Sequence, residues 1–268
     1  MSRSDPAAPA TRQDRRKLEL EQRREQRRVA RERPAPSPLR SPMAMFTGAA
    51  LLVGVLIVAF MWFTRPAAPT VNDLAPPADE IPAGVVIDGR TMGSAAAKVT
   101  VEIWSDFQCP ACRAFATDLE PRTITDYVVT GKVRLVYRDA AFQGQKSSSP
   151  YDESVEPAAA ARCAADQGLF WQMHNWLFAN WNGENEGAFA APRLSAIATA
   201  AGLDLATYDS CMAAGDKQTA VTNETNQGVA AGISSTPTLI INGQALVGAP
   251  RAYADWASIL DQAYAAAN

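Results

Sequence analysis

The sequence predicts an α/β domain placed behind a basic leader and one apolar span, and three observations predict it. The β-branched run Val99–Trp104, a helical stretch after it, and the alternating run Val133–Arg138 form strand, helix, strand, which is a parallel crossover unit. Residues 155–214 carry helical signals only, so a block of helices interrupts the sheet. Thr238–Ile241, Asn242-Gly243 and Gln244–Val247 then make a hairpin with a type I′ turn, so an antiparallel pair closes the sheet.

The 268 residues, 47% of them hydrophobic, suffice for a sizeable core. The net charge of −3 conceals two different objects. Residues 1–42 hold 12 Lys/Arg against 6 Asp/Glu, net +6, while residues 43–268 hold 13 against 22, net −9. The leader mixes Arg and Glu from Arg12 to Arg33 at spacings that support a solvated helix, with disorder as the alternative. Its basic residues suit contact with anionic membrane lipid. Interleaved acidic residues argue against nucleic-acid binding.

Met43–Phe63 runs 21 residues without a charge, about what a hydrocarbon core of ~30 Å requires. It is expected to be a single transmembrane helix. The positive-inside rule places the tail of residues 1–42 in the cytoplasm and exports the body, since Arg65 is the one basic residue between the span and Arg90. A cleaved signal peptide is the rival, but its apolar region is usually about 7–15 residues. Residues 64–83 hold Pro66, Pro69, Pro76, Pro77 and Pro82 and are expected to be an extended linker. Residues 84–268 then form the domain.

Within that domain Val85–Asp88 suggests a short edge strand, and Gly89–Ala97 a loop. After the strand Val99–Trp104 comes Asp106-Phe-Gln-Cys109-Pro-Ala-Cys112, a Cys-x-x-Cys pair at a strand-to-helix turn. Such a pair can close and open a small disulfide ring. If Cys109 caps the helix, unsatisfied N–H groups and the dipole favour its thiolate, a nucleophile and a good leaving group. Pro110 suits the first helical turn. The helix should bend at Pro121 and stop at Thr130-Gly131, before the strand Val133–Arg138. Gln143–Tyr151 is expected to be a polar loop.

Helices are expected over Pro157–Gln167, Phe170–Asn180, Arg193–Ala201 and Leu205–Ala214, separated by glycines. The aromatic segment Phe170 to Trp181 is expected to pack inside this block rather than bind substrate. Asp216–Gly232 returns to the sheet, and Ala252–Ala267 is a terminal amphipathic helix.

Ser105-Asp-Phe-Gln-Cys-Pro-Ala-Cys112, followed far downstream by Ser235-Thr-Pro-Thr-Leu-Ile-Ile-Asn-Gly243, resembles the DsbA-like thiol–disulfide oxidoreductases of the thioredoxin superfamily. The resemblance covers roughly Gly84 to Ala267. It implies a thioredoxin-like fold with a helical insertion over about 150–215, a redox-active disulfide between Cys109 and Cys112, and a cis proline at Pro237. The backbone of Thr236 would then pair with a substrate chain in β fashion. Glu102, on the strand before the cysteines, resembles the buried acid that takes a proton from the inner cysteine. An outward-facing, solvated Glu102 is its alternative, since strand phase decides.

Rival uses of the cysteines are weaker. Haem attachment needs His directly after the second cysteine, where Arg113 stands. A zinc site needs about four ligands, and His174 is the one histidine, so neither metal nor cofactor is expected. Of the three connectivities of four cysteines, Cys109–Cys112 with Cys163–Cys211 keeps the Cys-x-x-Cys pair intact. That leaves Cys163–Cys211 as a structural disulfide, with a second shuttle pair as the alternative.

The function so implied is an enzyme that donates its disulfide to exported, cysteine-containing proteins from a cell-membrane anchor. The resemblance suggests a quinone-linked membrane reoxidant of the DsbB or vitamin K epoxide reductase type. The alternatives are a reductase or isomerase, and a chaperone or binding module that keeps the cysteines as a staple. Pro110-Ala111 lacks the histidine that strongly oxidising members place between the cysteines, which leaves the direction of exchange open.

Overall fold

The computed structural model describes residues 12–32, 42–63, 70–144 and 152–268. The chain divides into two compact units, Met1–Ala67 and Ala68–Asn268.

In the first unit, every described side chain of α1 (Arg12–Glu32) is exposed, and Arg28 lies between Glu25 and Glu32 at 3.4 and 3.8 Å. Such exposed pairs add only a few tenths of a kcal/mol each. Helix α2 (Pro42–Phe63) is 22 residues long and uncharged. The side chains described in it are Phe46 and residues 52–61. Among the described residues, no helix is long and apolar enough to cross a membrane.

The second unit is built on a six-stranded sheet of order β1-β2-β4-β3-β5-β6. Its strands are β1 (Ile87–Asp88), β2 (Thr91–Met92), β3 (Val99–Ser105), β4 (Val133–Asp139), β5 (Thr238–Ile241) and β6 (Gln244–Ala245). Only β3 and β4 are parallel, and Val99↔Val133 through Ser105↔Asp139 set their register. The crossover helix runs from Pro110 to Val128 as α3 (Pro110–Ala114), a π-helical stretch Phe115–Leu119, α4 (Glu120–Thr123) and a second π-helical stretch Ile124–Val128. Pro121 sits in the short α4 between these two widened π-helical stretches.

The helical block is α5 (Val155–Asp166), α6 (Phe170–Ala179), α7 (Ala191–Ala200) and α8 (Leu205–Ala214), and α9 (Asp216–Ala230) leads back to the sheet. The last helix is α10 (Tyr253–Ala266). The observed elements follow the expected ones to within a few residues. In the β5–β6 turn Asn242 and Gly243 have φ of 47° and 83°, the two positive values that a type I′ turn requires.

Odd positions of β3 (Val99, Val101, Ile103) enter one large core with Phe107, Phe115, Phe170, Phe178 and Trp256. Even positions face the other side, where Trp104 packs with Ala140 and Ile233. There α9 approaches so closely that a Cβ on Gly228 would lie 2.6 Å from the Trp104 ring, and glycine is what permits the contact.

Two expectations are corrected. Thr91–Met92, placed in a loop by the sequence, is a strand that pairs antiparallel with β4, because Met92 fills the core although its neighbours carry turn signals. The linker predicted over 64–83 packs against the domain from Thr70 onward. Asp73 caps a short turn there by accepting from Thr70 N and Oγ1, Leu74 is buried, and Ala75 exchanges two hydrogen bonds with the Asn180 side chain. Proline content masked a docking residue. Residues 64–69, and residues 145–151 of the expected polar loop, lie outside the described residues.

Candidate active site

The site grows from the carboxyl end of β3. Asp106 ends the strand and folds the chain back: its Oδ1 accepts from Gln108 N at 2.8 Å, an Asx turn, while its Oδ2 accepts from Phe142 N, Gln143 N and Ser154 Oγ. Burial pushes the Asp106 carboxyl up to about 6, against those four donors. Gln108 is clamped in turn by the insertion. Its carbonyl accepts from Trp181 Nε1 at 3.0 Å, its Nε2 donates to Glu153, and its Oε1 accepts from Asn185 N. Glu153 also accepts from Gly187 N. The residue before the first cysteine is therefore fixed from two directions.

Cys109 follows as the residue that caps α3, with Pro110 in the first turn. Both cysteines are free thiols here. Cys109 is 4% exposed and Cys112 is 1% exposed. The Cys109 thiol lies 3.3 Å from the Thr236 carbonyl oxygen.

Their titration is driven apart. Cys109 is lowered to about 6, chiefly by the hydrogen bond from Cys112, against burial, and then by the Thr236 side chain and the backbone N–H groups of Cys112 and Ala111. Burial pushes Cys112 well above the ordinary thiol value, and the neighbouring Cys109 adds to the shift. At neutral pH this makes one thiolate and one thiol. An N-terminal sulfur that stays ionised is a nucleophile and a leaving group, and the thiol behind it can attack once deprotonated.

Beside the pair runs a groove of about 570 Å³ lined by Ala111, Phe115, Leu119, Thr236, Pro237 and Leu246 among others. The Thr236–Pro237 peptide bond is cis. The structure thus brings Cys109, Cys112, Thr236 and Pro237 together.

Glu102 is not among them. It lies on the even face of β3, and its carboxylate accepts from Arg138 Nε at 3.1 Å, about 30% exposed. Alternation along the strand decides this, since Ser105, three residues on, faces the side opposite to Glu102. Cys163 and Cys211 are joined, closing a loop of 48 residues' separation between α5 and α8. His174 is buried in α6 among Phe107, Tyr137, Phe170, Trp171 and Phe178, away from solvent. Burial holds its imidazole down to about 4. The aromatic segment packs inward, as expected. Among the described residues, no group of His, Cys, Asp and Glu is placed to hold a metal ion.

Sequence reasoning missed Asp106, Gln108, Glu153 and Asp139. For Asp106 a signal exists, an Asp two residues before a buried turn amide, while the partners of the others come from distant chain.

Comparison with known proteins gives the following. The family model described as Thioredoxin matches residues 86–262. Disulfide bond formation protein D of Bacillus subtilis is 30% identical over 87 residues, 32% of this chain and 37% of that protein. A Na(+)/H(+) antiporter NhaA 1 of Salinispora arenicola is 29% identical over 152 residues, 57% of this chain. The chain spans about a fifth of that antiporter's length (21%) and well under half of the Bacillus protein. The crystal structure of reduced DsbA from Mycobacterium tuberculosis superposes with a TM-score of 0.52 and 26% identity, covering 68% of this chain and 100% of that one.

Proposed function

The chain belongs to the thioredoxin family whose model matches residues 86–262, and from that membership we propose that it is a thiol–disulfide oxidoreductase passing a Cys109–Cys112 disulfide to exported proteins. The observation that carries this is the separation of the two thiols, Cys109 lowered to about 6 and Cys112 raised by burial. A client thiolate attacks the Cys109 sulfur, the bond to Cys112 breaks, and a second client thiolate resolves the mixed disulfide. Cys109 departs readily because its thiolate is stabilised. The groove along Thr236 and Pro237 is where an extended client segment would lie. The Bacillus and Mycobacterium relatives, named for disulfide formation and as DsbA, support the same chemistry.

A membrane anchor fits the rest of the chain. Leu52, Val53, Val55, Leu56, Ile57, Val58, Phe60 and Met61 of α2 are all more than half exposed, an apolar surface that a bilayer would cover. The net charge of +6 before it favours a cytoplasmic tail and an extracytoplasmic catalytic domain. Such an anchor would keep the domain near a quinone-linked membrane reoxidant of the DsbB or vitamin K epoxide reductase type.

Trapping tests the proposal. In Cys112→Ala, clients attached through Cys109 should accumulate on non-reducing gels after acid quenching, and Cys109→Ala should abolish them. Adducts that persist without Cys109, or that need Cys163 or Cys211, would sink it.

A further inference from the structure

A second cleft, of about 540 Å³, opens where three elements meet: the docked strap of residues 76–82, the crossover helix from Arg113 to Thr125, and the end of α6. The strap is held there by the buried Leu74 and by the hydrogen bonds between Ala75 and Asn180, and the exchange steps above make no use of the cleft. Pro77, Ile81, Pro121, Ile124 and Phe178 make its walls apolar.

Glu120 lines this cleft from the crossover helix. Its side chain is 3% exposed, and among the described residues nothing donates a hydrogen bond to it. His174 Nδ1 lies 3.7 Å away and is engaged instead by Asn175 Oδ1 at 2.9 Å. Buried polar groups in folded proteins are nearly always bonded, so a carboxyl left open in the wall of a cleft calls for a reason. Burial pushes it up to about 8, and no cation of the fold pulls it back.

The charges around it fit one kind of guest. Four carboxyl groups line the cleft, those of Asp79, Glu80, Asp118 and Glu120, against two guanidinium groups. Both guanidiniums are engaged elsewhere: Arg113 donates to the Phe178 carbonyl and lies over the Trp181 ring, and Arg122 lies 3.7 Å over the Tyr253 ring. Asp79 and Glu80 on the strap and Asp118 on the helix are exposed, so three acids stand at the mouth and one at the floor, with apolar walls between.

We propose that this cleft binds a linear alkyl diamine, with one ammonium on the Glu120 carboxylate, the methylene stem along the prolines and Phe178, and the second ammonium among the acids at the mouth. An ammonium carries three donors, and a carboxylate with neither oxygen bonded can accept them. A buried pair of this kind is screened by little water, and acids at the mouth draw cations towards it. Binding ionises Glu120, whose proton leaves to solvent. Such binding is independent of the exchange chemistry at Cys109.

Calorimetric titration of the full-length protein in detergent with 1,5-diaminopentane tests this. One diamine should bind per chain, and roughly tenfold more tightly at pH about 7 than at pH about 6, because each complex releases the Glu120 proton. Ordinary carboxylates and guanidiniums do not titrate in that range, and His174, held down to about 4, is neutral throughout it. Repeating the titration in buffers of different ionisation enthalpy counts the released proton. Glu120→Gln should bind on the order of tenfold more weakly at pH about 8, the worth of a hydrogen bond to a charged group, and lose the pH dependence. Asp79→Asn combined with Glu80→Gln, both at exposed positions, should weaken binding while keeping the pH dependence. Wild-type affinity in that double variant would overturn the place given to the second ammonium. No saturable binding by the wild type, equal binding of 1,5-pentanediol, or wild-type affinity and pH dependence in Glu120→Gln would each overturn the site.

Discussion

Cys109 Sγ and the Thr236 carbonyl oxygen stand 3.3 Å apart, a contact that folds 127 residues of chain back onto the cysteine turn. The Thr236 side chain acts on the same sulfur and favours its thiolate. Thr236→Val keeps the carbonyl and removes the hydroxyl, so the Cys109 midpoint should rise from about 6 by roughly one pH unit, the worth of one hydrogen bond to a charged group. The sign for stability follows from the lowered value. Between pH about 6 and 9 the unfolded thiol keeps a proton that folded Cys109 has lost, so the reduced fold gains stability as pH rises and loses it as pH falls through 6. Alkylation rates and melting curves of the reduced protein check both, and an unmoved midpoint in Thr236→Val would remove the hydroxyl from the account.

Glu120 and His174 face each other at 3.7 Å in the core. Burial raises Glu120 to about 8 and lowers His174 to about 4, so at neutral pH they are an uncharged acid and an uncharged imidazole. From pH about 4.5 to 8 unfolded Glu120 is ionised while the folded form keeps its proton, so the Glu120 contribution to stability falls as pH rises, offset up to pH about 6.5 by His174, which is protonated in the unfolded chain and neutral in the fold. Glu120→Gln should match the wild type near pH 4.5 and exceed it by a few kcal/mol at pH 8. Urea unfolding at the two pH values measures this, and a variant less stable at both would mean that the carboxylate is paired after all.

Much of this was legible from local pattern. The Val99–Trp104 and Val133–Arg138 runs, the Asn242-Gly243 turn and the glycine-separated helices each declare themselves within about ten residues of sequence. The cysteine turn is equally local. What escaped was strand phase and distant pairing. Glu102 and Ser105 differ by three positions, and nothing in the string says which one faces the helix that carries the cysteines. Asp139 lies one residue past the strand expected over Val133–Arg138, and only the parallel register with β3 makes it a neighbour of Ser105. The docking of Leu74 and Ala75 was hidden among prolines because Asn180, whose side chain bonds the Ala75 backbone, is about a hundred residues away in the chain.

The Cys163–Cys211 bridge should be a staple and no part of the exchange. Replacing both with Ala should cost about 4 kcal/mol, the chain-entropy value for a loop of this length, and leave mixed-disulfide formation through Cys109 intact. Denaturant unfolding and adduct formation are measured side by side, and a double variant that unfolds normally but no longer exchanges would make the bridge a second redox pair.

Glu102→Gln should leave thiol chemistry alone. The residue faces Arg138 in a partly exposed pair, worth no more than about 1 kcal/mol. The pH dependence of Cys109 alkylation and of ring closure should both match the wild type. A shifted profile for ring closure would return Glu102 to the cysteines.

Equilibration of the full chain with reduced and oxidised glutathione, followed by acid quenching and mapping of every cysteine, tests the central claim most directly. The account predicts one two-electron transition confined to Cys109 and Cys112, with Cys163 and Cys211 joined throughout, at a potential more oxidising than thioredoxin's because the Cys109 thiolate is stabilised in the reduced form. A Cys109–Cys112 pair that does not exchange with glutathione, or a transition carried by Cys163 and Cys211, would contradict it.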